Sequence, residues 1–412
     1  MNQPGTPSLL RELNDQAALN LLLAGEPLTR AQISEHTGLS KVTVAQTLSR
    51  LQARGLVTMA GQQASGRGPN AALYAVVPSS AYVAGLSLEA STVVTAISDI
   101  TGQVVTELSA DPSGVANPVD VIKEAVSTVC GTAGVGLRQL TAFVIGSPCV
   151  IDPVTGDPRV AIDLPDWHKG VLGALRGALN LPVVIENDVN LAAVAEGAVG
   201  AARGVDNFVL VWLSGGLGMA TVLGGRVHKG VSGAAGEIGY LPVPGTGLAE
   251  DNGLPLTGGF HTLAGGRAVQ ALAESYGIHA RDAAAAVEAG IAAGADEPAG
   301  TADVPATRSS CAREAQARAR EFIGELGRRI AIGIASVCSA LDPELVVLAG
   351  EVGHAGGAPL ADRVANEVAR ICLAEPRVVA AGVTGNPVVC GALQVALGQA
   401  RQTLRASVSQ FA

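Results

Sequence analysis

A short apolar run that ends abruptly in three polar residues constrains the fold of this 412-residue chain more than any other stretch. Residues 182–185 predict a buried parallel strand. Glu186, Asn187 and Asp188 follow at once, and the apolar spacing after them predicts a helix. Open α/β sheets bind ligands where a strand ends and a helix begins, so these side chains are candidate ligand contacts. The alternative interpretation is that Asn187 or Asp188 only caps the helix.

Strand and helix patterns alternate along the larger part of the chain, residues 81–402, which predicts an α/β domain of two successive lobes with a cleft between them. Strands are predicted at residues 81–88, 92–99, 103–109, 140–146, 183–185, 207–213, 217–223, 226–228, 345–349 and 378–383. Helices are predicted at residues 117–132, 169–179, 265–277, 282–293, 313–340 and 389–401. Residues 294–310 are predicted to form a surface loop.

Residues 1–77 follow a different pattern. Helices are predicted over residues 13–24, from a cap at Thr29 to Gly38, and from a cap at Ser40 to Gly55. Two short strands follow, at residues 56–59 and 73–77, around a glycine-rich loop. This order is typical of a helix-turn-helix with a wing. Residues 78–80 are interpreted as the linker to the domain formed by residues 81–412.

The N-terminal domain is predicted to bind double-stranded DNA. Short polar side chains on its third helix suit the major groove, and Arg67 at the wing tip suits phosphate or the minor groove. Residues 1–80 carry a formal charge of +2 in a chain whose net charge is −9. The alternative is that any three-helix domain has a polar outer face. The predicted DNA-binding residues are Ser40, Lys41, Thr43, Val44, Gln46, Thr47, Arg50 and Arg67.

Several protein classes are disfavoured by composition. The chain is 48% hydrophobic, but no apolar run is long enough to cross a bilayer. The N-terminus lacks the pattern of a signal peptide. The six cysteines have no C-x-x-C spacing, so we interpret them as buried thiols in a reducing compartment. The sequence therefore predicts a cytoplasmic protein with no membrane partner.

Four motifs, in order, resemble those of the ROK family (repressors, open reading frames, kinases). Residues 145–152 are similar to its G-x-P-G-x-V-D stretch and residues 163–167 to N-L-P-G-W. Residues 182–190 are similar to P-V-x-V-E-N-D-A-N and residues 235–240 to A-G-E-I-G-H. The resemblance implies a two-lobed, actin-like, sugar-kinase-like ATPase fold that binds a ligand and dimerises. With the winged helix in front, the chain resembles the family's transcriptional regulators.

The resemblance also implies a sugar site. In the family's kinases the aspartate that matches Asp188 takes the proton from the sugar hydroxyl, and the residues that match Asn187 and Glu237 hydrogen-bond the sugar. Carboxylates and amides suit sugar hydroxyls in a dry cleft. Tyr240 replaces a family histidine and His261 a family glutamate, so ligand contact and simple packing both stay open for them. The expected sugar-binding residues are Asn187, Asp188, Glu237, Tyr240, His261 and Asp163.

Nucleotide and zinc motifs of the family are altered. Ser87-Leu-Glu-Ala-Ser91 stands in place of D-x-G-G-T, where side chains block backbone approach to phosphate and Glu89 repels it. The second phosphate loop, residues 213–220, keeps glycines but lacks the threonine, and we interpret it as a turn. Residues 243–260 contain none of the family's zinc-binding cysteines. No catalytic residue, metal site or other cofactor is therefore expected.

Together these patterns predict a sugar-responsive, DNA-binding transcriptional regulator that represses carbohydrate genes and lacks kinase activity. Its expected partners are a double-stranded DNA operator, a monosaccharide or sugar-derivative effector, and further copies of itself in a homodimer or higher homo-oligomer. One alternative is an active ROK sugar kinase with an added DNA-binding domain, which Asp188 supports. Another is a ligand-independent regulator, which the changes at Tyr240 and His261 leave open.

Overall fold

The computed structural model describes residues 7–64, 70–89, 91–112, 117–161, 170–249, 258–295 and 306–409. Of the predicted site residues, Arg67 and Asp163 lie outside these ranges. The chain divides into two compact units. Unit 1 comprises Met1–Ser147, Asp166–Ile185 and Ala392–Ala412, and unit 2 comprises Pro148–Pro165 and Glu186–Gly391.

The helices and strands are numbered in chain order. The helices are α1 Pro7–Leu23, α2 Arg30–Thr37, α3 Lys41–Ala53, α4 Pro118–Ala133, α5 Val171–Leu179, α6 Asp188–Val199, α7 His261–Ala264, α8 Gly266–Ser275, α9 Ala283–Gly294, α10 Ala306–Leu341, α11 Gly350–Ile371 and α12 Pro387–Ser409. The strands are β1 Leu28–Thr29, β2 Val57–Gln63, β3 Ala71–Val76, β4 Tyr82–Leu88, β5 Val93–Asp99, β6 Val104–Ala110, β7 Leu140–Ser147, β8 Cys149–Ile151, β9 Pro158–Ala161, β10 Val183–Asn187, β11 Phe208–Leu213, β12 Leu217–Leu223, β13 Arg226–Val227, β14 Leu345–Ala349 and β15 Arg377–Ala380.

The predicted winged helix-turn-helix is confirmed in unit 1. Thr29 caps α2 in a capping box with Gln32, and Gly38 ends that helix with a φ of 70°, a left-handed conformation that glycine adopts without steric cost. Ser40 accepts a hydrogen bond from Thr43 N at the start of α3. Strands β1, β3 and β2 form the three-stranded sheet of the wing, in that order.

A five-stranded sheet follows in unit 1, in the order β10-β7-β4-β5-β6. The predicted three-stranded start is confirmed, because β4 pairs antiparallel with β5 and β5 with β6. The strand β7 pairs parallel with β4. The last two residues of β10, Glu186 and Asn187, extend the predicted strand beyond its apolar run, and they belong to unit 2.

Unit 2 contains a second five-stranded sheet, in the order β13-β12-β11-β14-β15. Both faces of β11 are buried, as is usual for a central strand between layers of helices. Val209 and Val211 pack in a core with residues of α10 and α11. Phe208 and Leu210 pack in a second core with residues of α6. The predicted α/β layering is therefore present, and α6 lies directly on this sheet.

The sequence-based assignment misses α11, β8 and β9 and mislocates several helix ends, among them the start of α1, which begins at Pro7 rather than at residue 13. The run Gly-Gly-Ala-Pro at residues 356–359 is typical of a break, yet the helix continues across a kink at Gly357, where φ is 51°, and includes Pro359. The predicted loop at residues 294–310 is wrong at its C-terminal end, because α10 begins at Ala306. The final helix, α12, continues to Ser409 rather than ending near residue 401.

The C-terminal end of α12 is tied to the winged helix within unit 1. Arg54, the residue that ends α3, donates from Nη2 to the Ser407 carbonyl at 2.7 Å and from Nη1 to the Val408 carbonyl at 3.3 Å. Gln16 of α1 donates to the Arg405 carbonyl at 3.3 Å. The last carbonyls of a helix lack intrahelical donors, so the guanidinium satisfies acceptors that α12 leaves open.

Candidate functional site

The junction between β10 and α6 holds the first candidate ligand residues. Asn187 caps α6, since its Oδ1 accepts a hydrogen bond from Asn190 N at 3.1 Å, and its Nδ2 donates to the Cys149 carbonyl at 3.3 Å. Asn187 therefore caps α6, and its contact with a ligand stays a prediction. Asp188 occupies the first turn of α6, where the helix dipole favours a carboxylate, and its Oδ1 accepts from Val189 N at 2.8 Å.

Sequence reasoning missed the structural part that Glu186 plays beside these residues. Glu186 is buried, and its Oε1 accepts hydrogen bonds from Asn187 N at 3.0 Å and from Asn190 Nδ2 at 3.1 Å. Lys229 Nζ donates to the other carboxylate oxygen. A carboxylate at the end of a buried strand needs such partners, and that requirement is the sequence signal that could have identified Glu186. The side chain fixes the backbone that presents Asn187 and Asp188.

The elements that carry Asp188 and adjoin Glu237, namely α6 and the 3-10 turn Ile238–Tyr240, both contact β12. A Cβ atom added at Gly218 of β12 would lie 3.0 Å from Val189 Cγ2, so α6 approaches this strand closely beside Asp188. Met219, the next residue of β12, donates its N–H to the carbonyl of Gly236 at 2.9 Å, and Gly236 directly precedes Glu237. Burial, and then the charge of Asp188, raise the pKa of Glu237. The two acidic groups are therefore close enough for the charge of Asp188 to affect the ionisation of Glu237.

Tyr240 and His261 lie on elements that contact each other. Tyr240 is 38% exposed at the end of the 3-10 turn Ile238–Tyr240, and α7, which His261 begins, contacts that turn. Burial, and then the charge of Arg267, lower the pKa of His261. A neutral imidazole offers one donor and one acceptor. These groups, like the carboxylate acceptors of Asp188 and Glu237, are of the kinds that hydrogen-bond the hydroxyls of a polyhydroxylated ligand.

A carboxylate lies at each of the two stretches, residues 87–91 and 213–220, that correspond to the family's phosphate loops. In unit 1, Ser87 is buried in β4 and Glu89 is exposed just after it. In unit 2, Ser214 Oγ donates to Glu351 Oε2 at 3.4 Å, and Glu351 lies in the first turn of α11. A helix N-terminus favours a phosphate group. At α11 the carboxylate of Glu351 already supplies the negative charge.

No cluster of three or more His, Cys, Asp or Glu side chains that could hold a metal ion occurs in the described ranges. Within those ranges, no disulfide joins Cys130, Cys149, Cys338, Cys372 or Cys390. The same part of the chain contains no helix long and apolar enough to span a membrane.

The exposed face of α3 differs from the predicted DNA-binding set. Val44 and Thr47 are completely buried, so their prediction as DNA contacts is wrong; helical periodicity turns both inward. The hydroxyls of Ser40 and Thr43 lie 2.9 Å apart and hydrogen-bond each other at the cap. The side chains of α3 that remain exposed are Lys41, Val42, Gln46, Ser49, Gln52 and Ala53. Of these, sequence reasoning missed Val42, Ser49, Gln52 and Ala53.

Arg50 is directed at α1. Its Nε donates to Asp15 Oδ2 at 3.0 Å and its Nη2 to Asp15 Oδ1 at 2.5 Å and to Thr47 Oγ1 at 3.0 Å. The Asp15 side chain is only 8% exposed, so the guanidinium compensates a buried carboxylate. The hydrogen bond to Asp15 is also the main cause that raises the pKa of Arg50. Arg50 thus holds α3 against α1, a role that its predicted DNA contact did not include.

Known proteins match both parts of this arrangement. Residues 83–399 match the ROK family and residues 17–68 match the MarR family. The xylose repressor of Bacillus subtilis (strain 168) is 25% identical over 57% of this chain and 62% of its own length, so this chain spans less than two thirds of that repressor. The DNA-binding transcriptional dual regulator NagC of Escherichia coli (strain K12) is 24% identical over 86% of this chain and 84% of its own length.

A solved structure shares the whole architecture. A ROK family transcriptional regulator described as a homolog of the E. coli MLC protein covers 97% of this chain and 99% of its own, with a TM-score of 0.68 and 19% identity, which establishes the fold. Kinases also match: a glucokinase of Halalkalibacterium halodurans is 29% identical over 53% of this chain and 63% of its own length. Because the ROK match spans more than half of the residues, this chain belongs to the ROK family.

Proposed function

We propose that this protein is a cytoplasmic, sugar-responsive transcriptional regulator that binds an operator and does not phosphorylate sugars. The observation that carries the proposal is the combination, in one chain, of a winged helix with a region where α6, which begins at Asp188, and the turn that follows Glu237 both contact β12. Carboxylates and a neutral imidazole suit sugar hydroxyls. Regulators that match the chain, among them a xylose repressor, support the same assignment and make xylose the first effector to test.

The kinase alternative rests on Asp188, which matches the family's proton acceptor. Two carboxylates oppose it: Glu89 follows β4 at the first phosphate loop, and Glu351 hydrogen-bonds Ser214 at the second. Like charges at both loops oppose the binding of nucleotide phosphates. We therefore assign Asp188 a hydrogen-bonding role toward the sugar. The matching kinases make ATP turnover the necessary comparison.

The decisive experiment combines operator binding with a monosaccharide panel. The full-length protein selects its operator from a random DNA library, and its affinity is then measured with and without each sugar. Coupling of about 1–3 kcal/mol would change the operator affinity about 5- to 150-fold for the effector. Asp188→Ala should keep the sugar-free operator affinity and lose this response. Asp120→Ala, at an exposed aspartate of α4, is the matched control.

Three results would contradict the proposal. One is an operator affinity that no sugar changes, which would favour the ligand-independent regulator. Another is an Asp188→Ala variant that responds as wild type does. The third is sugar-dependent ATP hydrolysis by the wild type at about 1 per second or faster, which would identify a kinase.

We also propose that the active form is a homodimer or higher homo-oligomer. One winged helix reads few base pairs, and two half-sites spaced by a helical turn double the contacts. Sedimentation of the full-length protein should give at least a dimer at micromolar concentration. A monomer both with and without operator DNA would contradict this.

A further inference from the structure

Most polar side chains near the start of α3 are occupied within the protein. Ser40 and Thr43 hydrogen-bond each other at the cap, Thr47 is buried, and Arg50 is bound to Asp15. Recognition helices contact base edges mainly through their N-terminal residues. Within α3, which the structure describes completely, the exposed side chains are Lys41, Val42, Gln46, Ser49, Gln52 and Ala53. Base readout by the first two turns therefore depends on three of them: Lys41, Val42 and Gln46.

Val42 is the apolar member of that set. It is 68% exposed, in the first turn of α3, and Lys41 and Gln46 flank it on the same exposed surface. Ala45 lies one turn further along and is too small to hold the helix away from a groove. An exposed valine between two polar side chains has no packing role in the free protein. Its apolar surface is available for an apolar group in the major groove.

We infer that Val42 is a specificity-determining residue that reads the C5-methyl group of a thymine in each operator half-site. This rests on the proposed DNA-binding function and adds the kind of base that the helix selects. The methyl group is the one apolar feature that the major groove presents, and it distinguishes a T·A pair from the other pairs. Uracil pairs as thymine does and lacks only that methyl group, so it isolates the contact.

The experiment uses the full-length protein and the operator that the wild type selects from a random DNA library. Each thymine of one half-site is replaced in turn by deoxyuridine, and the affinity is measured for wild type and Val42→Ala. Alanine is a good helix former at an exposed position, so the variant should fold. Val154→Ala, at a valine that is 90% exposed in the other unit, is the control.

One thymine should stand out in the wild type. Replacing it by deoxyuridine should weaken binding about fourfold, the value expected for one buried methyl group. Val42→Ala should weaken binding to the thymine operator by a similar factor, and the deoxyuridine substitution should then have no further effect. Val154→Ala should behave as wild type with both operators.

Two outcomes would overturn the inference while leaving the regulator function intact. In one, the wild type selects an operator but no deoxyuridine lowers its affinity. In the other, the critical deoxyuridine lowers the operator affinity of wild type and of Val42→Ala by the same factor, which would show that Val42 does not make the contact. If the wild type selects no sequence above competitor DNA, both this inference and the proposed function are overturned.

Discussion

The ammonium group of Lys229 donates to the carboxylate of Glu186 and joins two segments that are 43 residues apart. Glu186 lies in β10 directly before Asn187 and Asp188, while Lys229 lies in the loop that leads to Glu237. A second contact holds the same loop, since Arg159 donates to the Ser232 carbonyl at 2.9 Å. The relative position of the two candidate ligand carboxylates therefore depends on this ion pair.

We expect Lys229→Met to lower the free energy of unfolding by about 1 kcal/mol and to weaken sugar binding. The variant leaves the buried Glu186 carboxylate without its cation, but Lys229 is 42% exposed, which limits the loss. Lys229→Arg should retain most of the wild-type free energy of unfolding and of the sugar affinity. Chemical denaturation and calorimetry with the effector are the measurements. Lys123→Met, in an exposed pair with Asp120, is the control, and an equal effect there would contradict the prediction.

Arg50→Ala should lower the free energy of unfolding by about 1–3 kcal/mol, because Asp15 is then a buried carboxylate with no cation. Asp15→Asn in the same variant should recover part of the loss, since a neutral amide is less costly to bury. Arg11→Ala, at an exposed position of α1, is the control. Denaturation curves that coincide for wild type and Arg50→Ala would show that the pair does not hold α3 to α1.

Lys41→Ala should weaken operator binding and leave thermal stability unchanged, since Lys41 is exposed at the start of α3. A lysine that contacts a phosphate releases about one counterion, so the slope of log affinity against log salt concentration should fall by about 1. The measurement is a titration at several salt concentrations. An unchanged slope would mean that Lys41 makes no phosphate contact.

His261 should give the protein a stability that depends on pH. Burial and Arg267 lower its pKa below the ordinary 6.5, so the unfolded chain binds this proton at a higher pH than the folded protein does. The contribution is present above about pH 6.5 and is lost as pH falls through the lowered pKa. Chemical denaturation between about pH 5 and 8 should show that His261→Gln becomes more stable relative to wild type as the pH falls. An NMR titration of His261 with a midpoint at or above 6.5 would contradict this.

Local signals explain why the winged helix could be predicted so closely. Thr29, Gly38 and Ser40 begin and end α2 and α3 through caps that depend on neighbours within a few residues. The glycines and proline of α11 gave the opposite local signal. There tertiary packing prevails: Val352 and Leu360 are buried in the same core as Val211. A local sequence pattern contains no information about burial against residues that are distant in the chain.

In the candidate site, too, some residues could be predicted from the sequence and others could not. Asn187 and Asp188 follow from a strand that ends in polar residues, and Glu237 followed from a family motif. The partners that orient these residues could not be predicted from the sequence. Lys229 lies 43 residues from Glu186, and Asp15 lies 35 residues from Arg50. Such pairs form only when distant segments meet. The sequence pattern therefore predicted a DNA contact for Arg50 and a ligand contact for Glu186, and it revealed neither ion pair.

The hydrogen bonds from Arg54 to Ser407 and Val408 also bear on how the protein is made. The residue that ends the recognition helix and its acceptor Ser407 are 353 positions apart in sequence. During translation the winged helix therefore leaves the ribosome long before α12 exists. Until then, Arg54 and Gln16 lack the carbonyls they bind in the finished chain. Full docking of the winged helix onto α12 is thus a late event in synthesis, and the nascent chain cannot adopt its complete fold before α12 has emerged.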